Sequence, residues 1–146
     1  MALLFPESYI ESTTERIRLY RVLDEIPDEG ELQKFAEDLS DRFGSVPYQT
    51  AELLDMVRLR WIAMDLGIEK IRMKSQKLAV FFISNQDSPY YQSNAFTKIL
   101  QYVQTHQREC QMIERNGKLT LSFGGISTVK LALDKLSPIL NLGNEL

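Results

Sequence analysis

The chain first leaves its helical hydrophobic period at Gly67, and this constrains the fold more than any other feature of its 146 residues. Before Gly67 the apolar residues recur every three or four positions, as on helices that bury one face. Just after it they alternate or run together, as on strands. Helices followed by strands, without a regular βαβ alternation, read as α+β. The expected architecture is an N-terminal three-helix half (residues 3–67) followed by a β-β-α-β-β-α half (68–146) carrying a small, mainly antiparallel sheet. The length suits one domain.

In the helical half, Ser12 and Glu15 have capping-box spacing, and Leu19, Val22, Leu23 and Ile26 follow at i, i+3, i+4, i+7. Pro27 ends this helix, and Asp28 with Glu31 opens the next. The second helix is expected to bury Leu32, Phe35, Ala36, Leu39 and Phe43, with Gly44 as the positive-φ residue that closes it. Pro47 suits the first turn of a third helix. There Leu54, Val57, Trp61 and Met64 form one apolar face and Met56, Leu59 and Ala63 another, predicting packing from two sides. The apolar opening Met1–Phe5 reads as a strand, and with nothing preceding it suggests a piece of a larger protein.

Past Gly67, Ile71 and Met73 alternate with Lys70, Arg72 and Lys74, which predicts a half-exposed strand. The run 78–83 predicts a strand covered on both faces. Ser84–Pro89 is a loop by composition, and a helix with Phe96, Ile99, Leu100 and Val103 inward follows. Asn116-Gly117 marks a hairpin, since both central residues of its turn require positive φ. Gly124-Gly125 ends the last strand, and 126–140 is mostly helical.

A net charge of −3 and a pI near 5.2 argue against general nucleic-acid binding. The single cysteine, Cys110, points to a reducing cytoplasm. There is no P-loop and no nucleophile elbow. His106 has no partner at metal-ligand spacing. Cys110 beside Arg108 reads as a structural cysteine rather than a nucleophile. Tyr90 and Tyr91 are expected to cover the sheet edge. No catalytic, cofactor or metal site is expected.

Two charged groups are candidate partner surfaces. Arg58, Arg60, Lys70, Arg72, Lys74 and Lys77 are either a solvated face or a nucleic-acid surface. Against them stands an acidic stretch along the second helix. Asp38 and Asp41, at i, i+3, share its outer face, with Lys34 and Arg42 as the nearby cations. Acids near a helix C-terminus oppose the dipole by roughly 0.3–1 kcal/mol per charge, which shifts weight from a solvated face toward binding.

The strings Phe5-Pro6-Glu7-Ser8-Tyr9-Ile10, Arg16-Ile17-Arg18-Leu19-Tyr20, Asp41-Arg42-Phe43-Gly44 with Pro47, Arg58-Leu59-Arg60 and Gly67-Ile68-Glu69-Lys70-Ile71 resemble the C-terminal domain of bacterial transcription-repair coupling factor (Mfd). The resemblance covers residues 3–72. Glu11-Ser12 stands where the family has Pro-Asp, an exchange of one helix cap for another. The resemblance implies a non-enzymatic regulatory module of an ATP- and Mg-dependent translocase on double-stranded DNA. In that family the domain clamps the UvrB-like N-terminal module of the same protein, masks the UvrA-binding surface and restrains the motor until stalled RNA polymerase is engaged. By position, the family's acidic pair falls on Asp38 and Asp41. Asp38 replaces the usual Glu, one methylene shorter, which leaves its charge but alters its reach.

Overall fold

Four of the five α-helices in the computed structural model, which describes residues 3–142, begin at a side-chain cap. Ser12 Oγ accepts the Glu15 N–H at 3.2 Å and starts α1 (Thr13–Asp24). Asp28 Oδ1 accepts the Glu31 N–H at 2.9 Å and starts α2 (Glu29–Phe43). Ser93 starts α4 (Asn94–Thr105) and Thr128 starts α5 (Val129–Leu140) in the same way. Each cap satisfies an amide that the helix itself cannot. In α3 (Tyr48–Leu66) the carbonyl of Pro47 accepts the first bonds, from Thr50 and Ala51. The strands are β1 (Lys70–Lys74), β2 (Lys77–Phe81), β3 (Cys110–Arg115) and β4 (Lys118–Gly124), with a 3-10 turn at Pro89–Gln92. The α+β class and the order of elements are those expected.

The chain divides into two compact units, residues 1–58 and 59–146, and the division falls inside α3. In the first unit the core gathers Leu19, Leu23, Leu32, Phe35, Leu39 and Val57. No strand forms at its start among the described residues; Met1 and Ala2 lie outside them. Phe5 is instead a buried anchor, with its ring 4.7 Å from Tyr20 and 6.3 Å from Phe35. Its N–H donates to the Tyr20 hydroxyl at 2.9 Å, so the apolar opening reflects one anchored side chain rather than a paired strand. Val22, expected in the core, is exposed, and Ala36 and Phe43 are only half-buried. Glu15 does not reach back to Ser12, because its carboxylate is taken by arginines.

The second unit is a four-stranded antiparallel sheet in the order β1-β2-β4-β3. One face buries Leu78, Val80, Leu121 and Phe123, with Ile99, Tyr102, Ala132 and Leu136 from α4 and α5. The Tyr102 ring lies 6.3 Å from Phe123. Tyr102, not Leu100, completes the inner face of α4; Leu100 is 41% exposed. The other sheet face is open. Ala79 and Phe81 are half-buried there, so β2 is covered on one side only and not on both as expected. Within α3, Leu59, Ala63 and Leu66 are buried, but Met64 is 71% exposed.

The Asn116-Gly117 turn joins β3 to β4 with φ of 53° and 75°, as its sequence requires. Ser75-Gln76 joins β1 to β2 also with two positive φ values, 53° and 61°, and without a glycine. Tyr90 and Tyr91, expected to cover the sheet edge, are held by their hydroxyls and by Phe96. The Tyr90 hydroxyl donates to the Leu66 carbonyl at 2.6 Å, and both rings pack edge-on against Phe96. The Tyr91 hydroxyl donates to the Ile83 carbonyl.

Candidate functional site

Asp38 and Asp41 project from the outer face of α2, opposite the buried Leu32 and Leu39. Neither makes an ion pair or a side-chain hydrogen bond among the described residues. Together with Arg18, Val22 and Arg42 they line a cleft of about 210 Å³ between α1 and α2. Two uncommitted carboxylates beside open aliphatic surface can receive a cationic, partly apolar partner.

The aliphatic part of this surface is what the helical periodicity did not show. Val22 is 39% exposed, and Ile17, one turn earlier on α1, is 48% exposed. They line a neighbouring open hollow with Arg21 and Glu25. The signal was present in the sequence, since Ile17 falls outside the i, i+3, i+4, i+7 set.

The nearby cations are used differently. Arg42 donates to Glu15 at 2.8 Å and stacks over the Phe43 ring at 4.7 Å. Arg18 grips the same carboxylate through Nη2 at 2.6 Å and Nε at 3.1 Å. Hydrogen bonds from Arg18 and then Arg42 lower the Glu15 carboxyl from an ordinary 4.5 to about 2. Arg42 therefore clasps α2 to α1. Lys34 is exposed and makes no ion pair among the described residues. The carbonyl end of α2 is held by Tyr9, whose hydroxyl lies 2.8 Å from the Gly44 oxygen and 3.2 Å from that of Leu39. Arg16 fixes the preceding segment by donating to the Ile10 carbonyl at 2.6 Å.

The basic residues from Arg58 to Lys77 are divided between the two units. Arg58 lies in the first unit and donates to Glu29 and Asp55, each at 2.8 Å. The Glu29 carboxyl is lowered in turn by its hydrogen bond from Arg58. Arg60 also has a partner. Lys70, Arg72, Lys74 and Lys77 are exposed strand residues of the second unit. Cys110 is 4% exposed, and burial raises its thiol pKa, the opposite of what a nucleophile needs. His106 stacks on Tyr102 at 3.8 Å and caps α4. No group of acids, histidines and cysteines suited to a metal occurs among the described residues, and no helix there is long and apolar enough to cross a membrane.

A family model for the TRCF domain matches residues 1–93. The chain belongs to the TRCF domain family. It is 29% identical to the transcription-repair-coupling factor of Rickettsia prowazekii over 82% of its own length and 10% of that protein's. It is 37% identical to the factor of Escherichia coli over 49% of the chain and 6% of the relative. This TRCF domain thus spans about a tenth or less of the curated relatives it matches. In fold it is similar to a crystal structure of the C-terminal domain of transcription-repair coupling factor, with a TM-score of 0.78 at 17% identity. That match covers 99% of this chain and 90% of the other. The likeness extends past residue 93, so the sheet unit belongs to the same fold.

Proposed function

We propose that this TRCF domain is the non-catalytic, autoinhibitory C-terminal module of a transcription-repair coupling factor. In this reading Asp38 and Asp41 clamp the UvrB-like N-terminal module of the same protein, cover its UvrA-binding surface and restrain a DNA-translocating motor. RNA polymerase stalled on DNA releases the clamp, and ATP and Mg belong to the motor. The observation that carries it is the state of the acidic pair: both carboxylates are exposed and unengaged beside Val22, while Glu15 occupies the neighbouring arginines. A partner that supplies arginines or lysines meets no internal competitor for these acids.

The test is the double variant Asp38→Ala, Asp41→Ala in the full-length parent. Relief of masking should raise UvrA affinity, and the effect should shrink with salt because the contacts are solvent-accessible. The isolated domain should keep its melting temperature or gain slightly, since removal of acids late in a helix relieves the dipole by a few tenths of a kcal/mol. Unchanged UvrA affinity in a folded double variant would sink the role given to the pair.

A further inference from the structure

The net charge of −3 is the sum of two opposite parts. Residues 1–58 hold 13 Asp and Glu against 6 Lys and Arg, a net −7, whereas residues 59–146 hold 7 against 11, a net +4. Much of that excess lies on the open sheet face. By register, Lys70, Arg72 and Lys74 of β1, Lys77 of β2, Lys118 of β4 and Arg115 of β3 all share it. All six are exposed, and none is paired with a carboxylate among the described residues. Glu114, in register with Leu119, belongs to the opposite face.

Two features set this face apart from an ordinary solvated one. Lys74 lies directly opposite Lys77, and Arg115 directly opposite Lys118. Like charges in direct cross-strand register destabilise a sheet, and here two such pairs sit near opposite ends of it. An anionic ligand would relieve both. Between them lies an open cleft of about 570 Å³ floored by Ala79, Phe81, Ile113, Thr120 and Ser122. The Phe81 ring, half-buried at its centre, carries the Arg72 guanidinium at 5.4 Å and the Lys70 ammonium at 5.7 Å.

We propose that this face binds single-stranded nucleic acid. The framing cations take phosphates, and the Phe81–Arg72 stack receives a base, since aromatic rings and guanidinium planes both accept bases regardless of sequence. Serine and threonine hydroxyls on the floor offer donors and acceptors to base edges. Duplex DNA fits less well. Four strands at about 4.8 Å spacing present a surface ~14 Å across between outer axes, whereas the major groove, ~12 Å wide, admits a helix or a two-stranded ribbon. The site is independent of the acidic pair on α2.

The test is fluorescence anisotropy on the 146-residue chain with labelled dT15, rU15, a 15-base-pair duplex and polyglutamate, across a salt series. Single strands should bind more tightly than duplex, with log K falling linearly in log salt. Arg115→Ala with Lys118→Ala, at an exposed turn where folding is not at risk, should lower that slope by about 1.4, or about 0.7 per phosphate contact. Phe81→Thr keeps a strand-forming residue and should weaken binding by roughly ten-fold with the slope unchanged. A preference for dT15 or rU15 tells DNA from RNA within the same proposal. No binding at low salt, equal affinity for duplex, or equal affinity for polyglutamate with no effect of Phe81→Thr would each overturn it.

Discussion

Gly67 ends α3 with φ of +70°, and a Cβ added there would lie 2.3 Å from Cε1 of Tyr90. Two penalties coincide: the left-handed backbone costs a non-glycine residue about 1–2 kcal/mol, and the ring must move although its hydroxyl is bonded to the Leu66 carbonyl. Gly67→Ala should therefore destabilise the domain by about 2–4 kcal/mol in a denaturant titration. A loss below 1 kcal/mol would mean that the ring moves freely. The stop at Gly67 was legible from the change of period. The ring that closes over it was not, because no local rule links residue 67 to residue 90. The family strings show the same limit. Tyr9, Arg16 and Phe43 could be matched as a pattern, but that Tyr9 holds the carbonyl end of α2 emerges only in three dimensions.

Between elements, the α1–α2 pairing rests on buried leucines and on the clasp of Glu15 with Arg18 and Arg42. Glu15 ionises at lower pH in the folded chain than in the unfolded one, so its contribution is complete above about 4.5 and fades as pH falls toward about 2. Glu15→Gln should lower the melting temperature at neutral pH, and the gap to the parent chain should close across that window. A gap independent of pH would assign the loss to packing instead. Helical periodicity located all three N-terminal helices but overcounted their buried faces. Val22 and Met64 satisfy the spacing and are exposed, as spacing registers a stripe but not how wide a stripe its neighbours cover. The strands misled in the reverse sense. The apolar run of β2 predicted two covered faces, whereas Ala79 and Phe81 instead floor an open cleft. The Asn116-Gly117 turn declared itself, while Ser75-Gln76 adopts the same geometry with no residue that favours it.

For the whole chain, summed charge proved the least informative number. A value of −3 spoke against nucleic acid only because it summed a net −7 and a net +4. Adsorption to a charged resin depends on the face presented to it, not on the summed charge of the chain. The domain should accordingly be retained at pH 7 and low salt on both anion- and cation-exchange resins, despite a pI near 5.2. Arg115→Ala with Lys118→Ala should reduce retention on the cation exchanger alone. Flow-through of the parent chain on that resin would contradict a cationic sheet face. The contacts that anchor the segment before α1 bear on how such a domain is dissected. Tyr9, Arg16 and Phe5 tie the stretch before α1 to the body of the first unit, and Tyr9 secures the turn that carries Asp41. Truncations that start at α1 would remove a support of the acidic pair while leaving its sequence intact. A loss of function mapped by such a deletion would therefore not place that function in residues 3–12, whereas single-residue exchanges on the surface of α2 test that surface directly.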